Sequence, residues 1–428
     1  MRGSSLLAAV IAFRGGTLID GTGAPPVRDA LLVVAEGRVT YAGAATFEAV
    51  HAVPAGAVSV SLAGKWIVPG LVDAHVHAES DEDLFQMLRW GVTAVRLMAE
   101  DVAASQEIAR RAALPGSGMP DVFPSAPIFT VRGGWWGRGE PPDAHLDRFP
   151  ATPEAARASV REAKALGARE IKLMLDDMAW CRAPLPSLPR IDPEVARALL
   201  DEARSQGLRA IVHAPGLADA KEAIADGATA LAHGVLEPLG EETIRDMRRR
   251  AIAYVPTMDV FEFLADTRAF VEGILADPVV AGPGGLPPAA VARLRGADYV
   301  AGYRERYPNF ANVQRRLPGL RENLRRLHAA GVPVALGTDM WAFPGLAVSV
   351  EMDLYVKAGL TPLEAIRAGT QTAARSLAIE ASHGTLEAGR RADFLVLDRD
   401  PLADVRNVRR IAAVYKQGER VSPGPAAP

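Results

Sequence analysis

Between residues 67 and 384 the chain alternates short apolar runs with helical segments, and this alternation limits its fold more than any other feature. Two of the helical segments begin with a capping residue and a proline and end at a glycine, at Thr152-Pro153 to Gly167 and Asp192-Pro193 to Gly207; a third begins at Thr361-Pro362. Eight apolar runs are typical of strands: WIVPGLVDAHVH, TAVRLM, APIFTV, EIKLML, AIVHA, TALAHG, AIAYVPT and PVALGTD. Parallel strands joined by helical crossovers predict an α/β fold, a (β/α)8 TIM barrel.

The two ends of the chain have a different pattern, in which short runs rich in valine and isoleucine alternate with glycine turns. The N-terminal end contains TLIDGTG, ALLVVAEGRVTYAG and AVSVSLAGKWIVPG, and the C-terminal end contains ADFLVLDRDP and IAAVYKQGERV. We therefore predict a small β-sandwich domain formed by residues 1–66 and 385–428. The barrel of residues 67–384 would be inserted between its two parts.

Composition excludes several classes of function. With 428 residues, 49% hydrophobic and 23% charged, the chain has the balance of a globular protein. A net charge of −3 gives no reason to expect nucleic acid or an anionic membrane as a partner. The single Cys181 excludes an intrachain disulfide and a cysteine-rich zinc site. We expect a small-molecule substrate as the partner and leave a homo-oligomer open.

The first residues, MRGSSLLAAVIAF, place one positive charge ahead of a short apolar stretch. Such a start could be the remnant of a secretory signal, but no A-x-A-like cleavage site follows it. The apolar run leads directly into a predicted strand, and no run is long enough to span a bilayer. We therefore expect a tag or a native N-terminus and a cytoplasmic protein, with a secreted or periplasmic protein as the alternative.

Side chains able to bind a metal lie at or near the ends of five predicted strands. They are His75, His77, Lys172, His213, His233 and Asp339. A barrel collects the carboxyl ends of its strands at one rim, so we expect these side chains to lie close together. His75 and His77 are two residues apart on a strand and face the same side, where both could bind one cation. Asp73 faces that side too, and either orients an imidazole or is a turn residue.

Lys172 is the unusual member of this set, because lysine is rarely buried and this one lies in the apolar run EIKLML. Burial lowers the pKa of an amine, and a neutral amine can react with CO₂ to form a carbamate whose two oxygens bridge two metal ions. The alternative is a lysine that extends to the rim or pairs with Asp176 or Asp177. Alone, His213 and His233 could be structural, and Asp339 could be a capping residue.

Together these motifs resemble the amidohydrolase superfamily of metal-dependent hydrolases, and within it the imidazolonepropionase-like and prolidase-like branch. The resemblance spans nearly the whole chain, through IVPGLVDAHVH, GVTAVR, GTD, TPLEAIRAGTQTAARSL and GTLEAGRRADFLVLDRDPL. It implies two divalent metal ions, one held by His75, His77 and Asp339 and the other by His213 and His233, with N6-carboxylated Lys172 bridging them. Zinc suits these ligands, and manganese or cobalt could replace it.

The resemblance also implies a mechanism, in which a metal-bridging hydroxide attacks a carbonyl and Asp339 serves as general base and then as general acid. We therefore predict a binuclear hydrolase that cleaves an amide bond of a small molecule such as a dipeptide or an N-acyl amino acid. Alternatives are a cyclic-amide hydrolase or an ester, lactone, carbamate or organophosphate hydrolase with the same site. A metal-free non-catalytic scaffold and a sugar-acid isomerase are hypotheses of other kinds, and the intact ligand set disfavours both.

The chain departs from this branch at three motifs near the substrate. It has GGWWG where relatives carry histidine after paired glycines, His213-Ala-Pro215 where they have His-Ala-His, and Val95-Arg96-Leu97 where they have Val-Arg-Asp. Trp135 and Trp136 either grip an apolar substrate group or belong to the core or a lid. Candidates for binding a substrate carboxylate are Arg132, Arg138, Tyr303 and Arg304. Residues 260–330 form a long helical excursion that is either an ordinary crossover or a substrate lid.

Overall fold

Both ends of the chain contribute to one eight-stranded sheet. The structure, a computed structural model, describes residues 10–99, 101–137, 148–296, 308 and 310–421. With strands numbered along the chain, this sheet contains β1 (Ile11–Leu18), β2 (Val27–Ala35), β3 (Arg38–Ala44), β4 (Val58–Ser61), β5 (Trp66–Pro69), β14 (Phe394–Leu397), β15 (Ile411–Lys416) and β16 (Glu419–Val421). The strand order is β16-β15-β14-β5-β1-β2-β3, and β4 also pairs with β1.

The rings of Phe13, Phe394 and Tyr415 meet in the core of this sheet, with Phe394 stacked on Tyr415 at 4.5 Å and Phe13 5.0 Å from each. Strands from opposite ends of the sequence therefore share one apolar core. The predicted domain boundaries, residues 1–66 with 385–428 around 67–384, stay a prediction.

Two parallel sheets occupy the middle of the chain. The first contains β6 (Leu71–Val76), β7 (Val92–Met98) and β8 (Asp121–Ser125) in that order. The second runs in the order β13-β12-β11-β10-β9 and contains β9 (Ile128–Phe129), β10 (Glu170–Met174), β11 (Arg209–His213), β12 (Ala230–Ala232) and β13 (Ala253–Val255). Their strands are almost entirely buried, as expected of parallel sheets covered by helices. The predicted alternation of parallel strands and helices is confirmed.

Helices connect most of these strands, and each predicted helix boundary is confirmed. The hydroxyl of Thr152 accepts the Ala155 N–H at 3.2 Å, and Asp192 caps its helix in the same way. Thr361 and Glu364 form a capping box. The helices are α1 (Phe47–Ala52), α2 (Asp81–Arg89), α3 (Val102–Ala112), α4 (Pro153–Ala165), α5 (Ala179–Arg182), α6 (Pro193–Ser205), α7 (Leu217–Asp226), α8 (Glu241–Arg249), α9 (Met258–Ala265), α10 (Thr267–Leu275), α11 (Pro278–Ala281), α12 (Pro288–Arg295), α13 (Phe310–Ala329), α14 (Leu346–Lys357), α15 (Pro362–Arg367) and α16 (Ala373–Ser376), with a π-helical turn at Ala368–Thr372 and a 3₁₀ turn at Val405–Arg409.

The main core lies between the parallel sheets and these helices. On α4 the inward face is Ala156, Ser159, Val160 and Ala163, the spacing of an amphipathic helix. In the excursion between β13 and residue 333, the residues that the structure describes form helices α9 to α13, in line with the predicted helical character. In the part of the chain that the structure describes, no helix combines the length and the apolar character that a bilayer crossing requires.

The first predicted strand, WIVPGLVDAHVH, is in fact two strands that belong to different sheets. β5 pairs with β14, and β6 pairs with β7. Gly70 separates them, and its N–H donates to the carbonyl of Asp393 at 2.9 Å. A Cβ at Gly70 would lie 2.2 Å from the Oγ1 of Thr93, so only glycine fits where the chain passes between the sheets. The prediction of one continuous strand was wrong for this reason.

The third and eighth predicted strands also differ from expectation. APIFTV contributes only β9, because β8 begins earlier, at Asp121, and supplies the pairing with β7. PVALGTD forms no regular strand and has one bridge, from Val334 to Tyr254. Its backbone nevertheless bonds on both sides: the Ala335 N–H donates to Tyr254 at 2.9 Å, and Leu336 accepts from the Ala74 N–H at 2.9 Å. Residues 333–339 therefore connect β13 of the second parallel sheet to β6 of the first.

Candidate metal centre

His75, His77 and Asp339 form a compact group where β6 ends beside residues 333–339. The Nε2 atoms of His77 and His75 lie 3.3 and 3.6 Å from the same Oδ1 of Asp339. One ligand atom from each of the three residues lies within 4.8 Å of the other two. The Asp339 N–H donates to the His75 carbonyl at 2.7 Å, which fixes the carboxylate beside the imidazoles. Two imidazoles and a carboxylate at this spacing can bind one cation.

Backbone features bring the two segments close enough for this contact. A Cβ at Gly337 would lie 2.5 Å from Val255 and 2.9 Å from the Cβ of His75, so the approach requires glycine. The carboxylate of Asp73 accepts hydrogen bonds from the N–H of Thr338 at 3.0 Å, from its hydroxyl at 2.7 Å and from the N–H of His75 at 3.1 Å. Burial raises the pKa of Asp73 to about 7, against the opposing effect of these bonds. Of the two roles considered for Asp73, the structure places its carboxylate on the backbone rather than on an imidazole.

His213 and His233 complete a cluster of four imidazoles. The ring of His233 lies 4.3 Å from that of His213 and 4.9 Å from that of His75, and its Nδ1 is 3.8 Å from the Oδ2 of Asp339. Each ring has a polar partner on one nitrogen. His213 Nε2 lies 3.0 Å from a carboxylate oxygen of Asp176, and His233 Nδ1 lies 2.9 Å from the Oγ1 of Thr257. The predicted histidines are therefore brought together, each held by one nitrogen with the other left available.

Lys172 lies on β10 with only 2% of its surface exposed, and its Nζ has no hydrogen-bond partner among the described residues. Burial lowers the pKa of its amine, the charge of Asp339 opposes that shift, and the charge of Arg96 adds to it. The carboxylates considered as partners are engaged elsewhere. Asp176 holds His213, and Asp177 accepts the Ala179 N–H at 2.9 Å. The position of Lys172 therefore fits a buried amine in the cluster better than a lysine that extends to the rim or pairs with Asp176 or Asp177.

The electrostatics of the cluster favour neutral imidazoles. Burial lowers the pKa of each of the four histidines, that of His77 to about 3. Desolvation raises the pKa of Asp339, with Lys172 opposing and Asp73 adding to the rise. Neutral imidazole is the form that binds a metal.

Two buried nitrogens test whether a metal fits. His213 Nδ1 and Lys172 Nζ have no partner among the described residues, although buried polar atoms are nearly always hydrogen-bonded. Divalent cations would satisfy such atoms, and the nitrogen and oxygen donor set suits zinc. The residues present therefore fit the metal ions that the sequence implies.

The predicted substrate residues occupy different positions. Trp136 stacks on His77, with 4.8 Å between ring centroids and 10° between planes, and is 38% exposed. Trp135 is half-buried against the main core. The guanidinium of Arg132 lies over the ring of Phe149 at 4.9 Å. Arg138, Tyr303 and Arg304 lie outside the described residues.

Three residues that the sequence did not assign to the site are connected to the cluster by the structure. Asp176 contacts His213 and not Lys172, and a carboxylate directly after a strand end is a signal for a histidine partner. Thr257 ends the run AIAYVPT, a position equivalent to those of the predicted ligands. Glu351, a charge inside the apolar helix LAVSVEMDLYVK, bonds the backbone that follows Thr257.

Comparison with known proteins identifies the group to which the chain belongs. Residues 66–421 match the profile described as the Amidohydrolase family, which is most of the sequence. The chain belongs to the amidohydrolase family. Amidohydrolases are generally metal-dependent, and this member is a hydrolase acting on carbon–nitrogen bonds, as the sequence analysis predicted.

Individual amidohydrolases resemble it over nearly their full length. The ochratoxinase of Aspergillus niger is 25% identical, with the match covering 96% of this chain and 86% of the relative. The imidazolonepropionase of Methylobacterium sp. (strain 4-46) is 27% identical, covering 95% and 94%. The crystal structure of a Xaa-Pro dipeptidase superposes with a TM-score of 0.75 at 20% identity, covering 96% of this chain and 99% of that one. The last comparison supports the fold of this amidohydrolase.

Proposed function

We propose that this chain is a binuclear metal-dependent amidohydrolase that cleaves the amide bond of a small linear substrate, such as a dipeptide or an N-acyl amino acid. The observation that carries the proposal is the buried amine of Lys172, which lies beside four imidazoles and Asp339 and has no hydrogen-bond partner among the described residues. A bare ammonium beside divalent cations would be strongly repelled, whereas a neutral amine converted to a carbamate supplies two ligand oxygens. The dipeptidase with the same fold supports a dipeptide-sized substrate.

The ligand set divides into two groups around this lysine. His75, His77 and Asp339 would hold one ion, His213 and His233 the other, and N6-carboxylated Lys172 would contact both. When bound, two divalent ions, zinc in our proposal, would lower the pKa of a water and polarise the substrate carbonyl.

The remaining chemistry belongs to the protein. Asp339 would accept the proton of the attacking water and pass it to the leaving amine, which must be protonated to depart. Asp176 would fix the ring of His213, and the buried surroundings would keep the imidazoles neutral.

The same proposal includes the (β/α)8 barrel and the β-sandwich beside it. Residues 333–339 hydrogen-bond to both β13 and β6, and β9 follows β8 after two residues while pairing with the other sheet. With β8 and β9 sharing one position and residues 333–339 taking the last, these connections support an eight-stranded arrangement. The ligands would lie at its carboxyl rim. A cytoplasmic location and a homo-oligomer remain predictions.

The test is the metal content of protein purified without chelator, measured by elemental mass spectrometry. We expect two equivalents per chain. Lys172→Ala should lose metal together with hydrolysis of a panel of N-acyl amino acids and dipeptides. Lys357→Ala is the matched control, because that lysine is exposed and pairs with Asp353 on the surface. Reconstitution of the metal-free protein should require bicarbonate, and a short carboxylic acid should partly restore metal binding to Lys172→Ala.

Three outcomes contradict the proposal in different ways. One equivalent that Lys172→Ala leaves unchanged would favour a mononuclear cyclic-amide hydrolase, a possibility that the imidazolonepropionase relative also supports. No metal, and none taken up on reconstitution, would favour the non-catalytic scaffold. Two equivalents with cleavage of esters, lactones or phosphotriesters alone would retain the site and change the substrate class.

A further inference from the structure

Thr257 has a backbone conformation that branched residues rarely adopt. It is the last residue of the seventh predicted strand and lies two residues beyond β13, it is fully buried, and its φ and ψ are +45° and +51°. The left-handed region costs free energy for any residue with a Cβ, and most for one branched at that carbon. Strain of this kind persists only where the surroundings enforce it, and it is concentrated at functional sites. A specific contact must therefore hold Thr257 in this conformation.

Glu351 contacts the backbone that follows Thr257 and restrains it. Its side chain on α14 is fully buried, and its two carboxylate oxygens accept the N–H groups of Met258 at 2.9 Å and Asp259 at 2.8 Å. These two residues follow Thr257 directly and form the first turn of α9, where backbone N–H groups have no partner within the helix. A carboxylate held by two such groups fixes the start of α9 and, with it, the dihedral angles of the preceding threonine.

The result is a hydroxyl directed at a candidate ligand. The Oγ1 of Thr257 lies 2.9 Å from Nδ1 of His233, which itself has a φ of +71°. If the ring donates its Nδ1–H to this oxygen, the lone pair lies on Nε2. His213 is held in the opposite sense, since Asp176 contacts its Nε2 and its buried Nδ1 has no partner among the described residues. The two neighbouring imidazoles would therefore present different nitrogens.

We propose that Thr257 is the positioning residue that sets the tautomer and the orientation of His233, with Nε2 as its metal-binding atom, and that Glu351 holds Thr257 in the strained backbone this contact requires. The proposal rests on the proposed function, because it assigns a role within the same metal site. Hydrogen bonds to the distal nitrogen of a ligating histidine fix its ring and raise its affinity for the metal.

The test is titration of the metal-free protein with Co²⁺, followed by the visible absorption of the bound ion. Thr257→Val keeps the branched shape and removes the hydroxyl, whereas Thr257→Ser keeps the hydroxyl. We expect Thr257→Val to weaken one of two Co²⁺ equivalents by about 10–100-fold and to change the spectrum of that equivalent. Thr257→Ser should restore both. Glu351→Gln retains one acceptor oxygen and should weaken the same equivalent by a smaller factor. His233→Ala, which removes the ligand, marks that equivalent.

The outcomes separate the two proposals. If His233→Ala loses one equivalent while Thr257→Val binds both with wild-type affinity, the positioning role is wrong and the binuclear site stands. If Glu351→Gln binds both Co²⁺ equivalents as the wild type does, the proposed role of Glu351 in holding Thr257 is wrong. If the wild-type protein takes up fewer than two equivalents, or His233→Ala binds as the wild type does, the proposed function itself fails. Thermal unfolding of the metal-free variants shows whether each is folded before titration.

Discussion

The indole of Trp136 lies parallel to the imidazole of His77, and more than a third of its surface is exposed. Its second face can therefore pack against an apolar group of a bound substrate. Trp136→Ala should raise KM for N-acyl amino acids with an aromatic acyl group by about 2–10-fold, the equivalent of about 0.5–1.5 kcal/mol for an aromatic pair. The change should be smaller for acetylated substrates. Steady-state kinetics on a matched substrate series measures this.

Two control variants distinguish the loss of a substrate contact from a loss of folding stability. Trp136→Phe keeps a flat ring and should keep most of the affinity. Trp135→Ala removes a ring that packs against the main core, so it should lower thermal stability with less effect on the ratio of aromatic to acetyl substrates. An equal rise in KM for both kinds of substrate would argue against a stacking role for Trp136.

Short sequence patterns explain which individual site residues could be predicted. Lys172 and His213 are detectable because each is a charged or polar side chain within a short apolar run, and that pattern lies within five or six residues. The role of Glu351 is invisible to such rules, because its carboxylate contacts backbone groups of residues 92 and 93 positions earlier. The contact of Thr257 with His233 likewise joins two strands whose pairing is set by the fold. Such roles depend on tertiary contacts, which one sequence does not contain.

Among the secondary-structure elements, β5 and β6 form a single run of chain divided between two sheets by Gly70. Gly70→Ala would place a methyl group 2.2 Å from Oγ1 and 2.5 Å from Cγ2 of Thr93, so one of the strands must shift. We expect the free energy of unfolding to fall by about 1–3 kcal/mol, the usual cost of overpacking. Urea denaturation of the metal-free protein measures the change.

Matched variants make this prediction specific. Gly56→Ala should be close to neutral, because no atom lies within 4 Å of its added Cβ. Replacing Thr93 by alanine in the Gly70→Ala background should recover part of the loss. A Gly70→Ala protein as stable as the wild type would mean that the sheets tolerate the shift.

The elements also show why helices were predicted better than strands. Thr152, Asp192 and Thr361 define helix starts through hydrogen bonds to residues two or three positions away, so the signal is local. Strand limits depend on distant partners. The start of β8 at Asp121 follows from its pairing with β7, and residues 333–339 satisfy their backbone groups on two sides without forming a regular strand.

Across the whole molecule, a charged network joins the first parallel sheet to the eight-stranded sheet. Asp121 at the start of β8 lies 3.0 Å from His383, 2.7 Å from Arg391 and 2.8 Å from Lys416. Burial alone would raise the pKa of Asp121, but the hydrogen bond with His383 and the charges of Lys416 and Arg391 lower it to about 2.

This lowered pKa predicts a dependence of stability on pH. A carboxylate whose pKa falls on folding stabilises the protein above its unfolded pKa, and that contribution is lost as pH falls through the folded pKa. Asp121→Asn should therefore reduce the free energy of unfolding by about 2 kcal/mol at pH 7. The difference from the wild type should shrink between about pH 4 and pH 2, as measured by denaturant unfolding at each pH. Asp398→Asn, which removes a half-exposed pair with Lys65, should have little effect at any pH.

The shared eight-stranded sheet has a consequence for biosynthesis. β5 ends at Pro69, but its partner β14 begins at Phe394, so 324 residues are translated between them. At a translation rate of about 5–20 residues per second, one edge of β5 stays unpaired for on the order of 15–65 seconds. An unpaired strand edge is a template for pairing with other chains. His75 and His77 leave the ribosome just after β5, and the Asp339 that contacts both follows much later. Nascent chains must therefore be shielded until the last strands emerge, and a message truncated before β14 yields an aggregation-prone product.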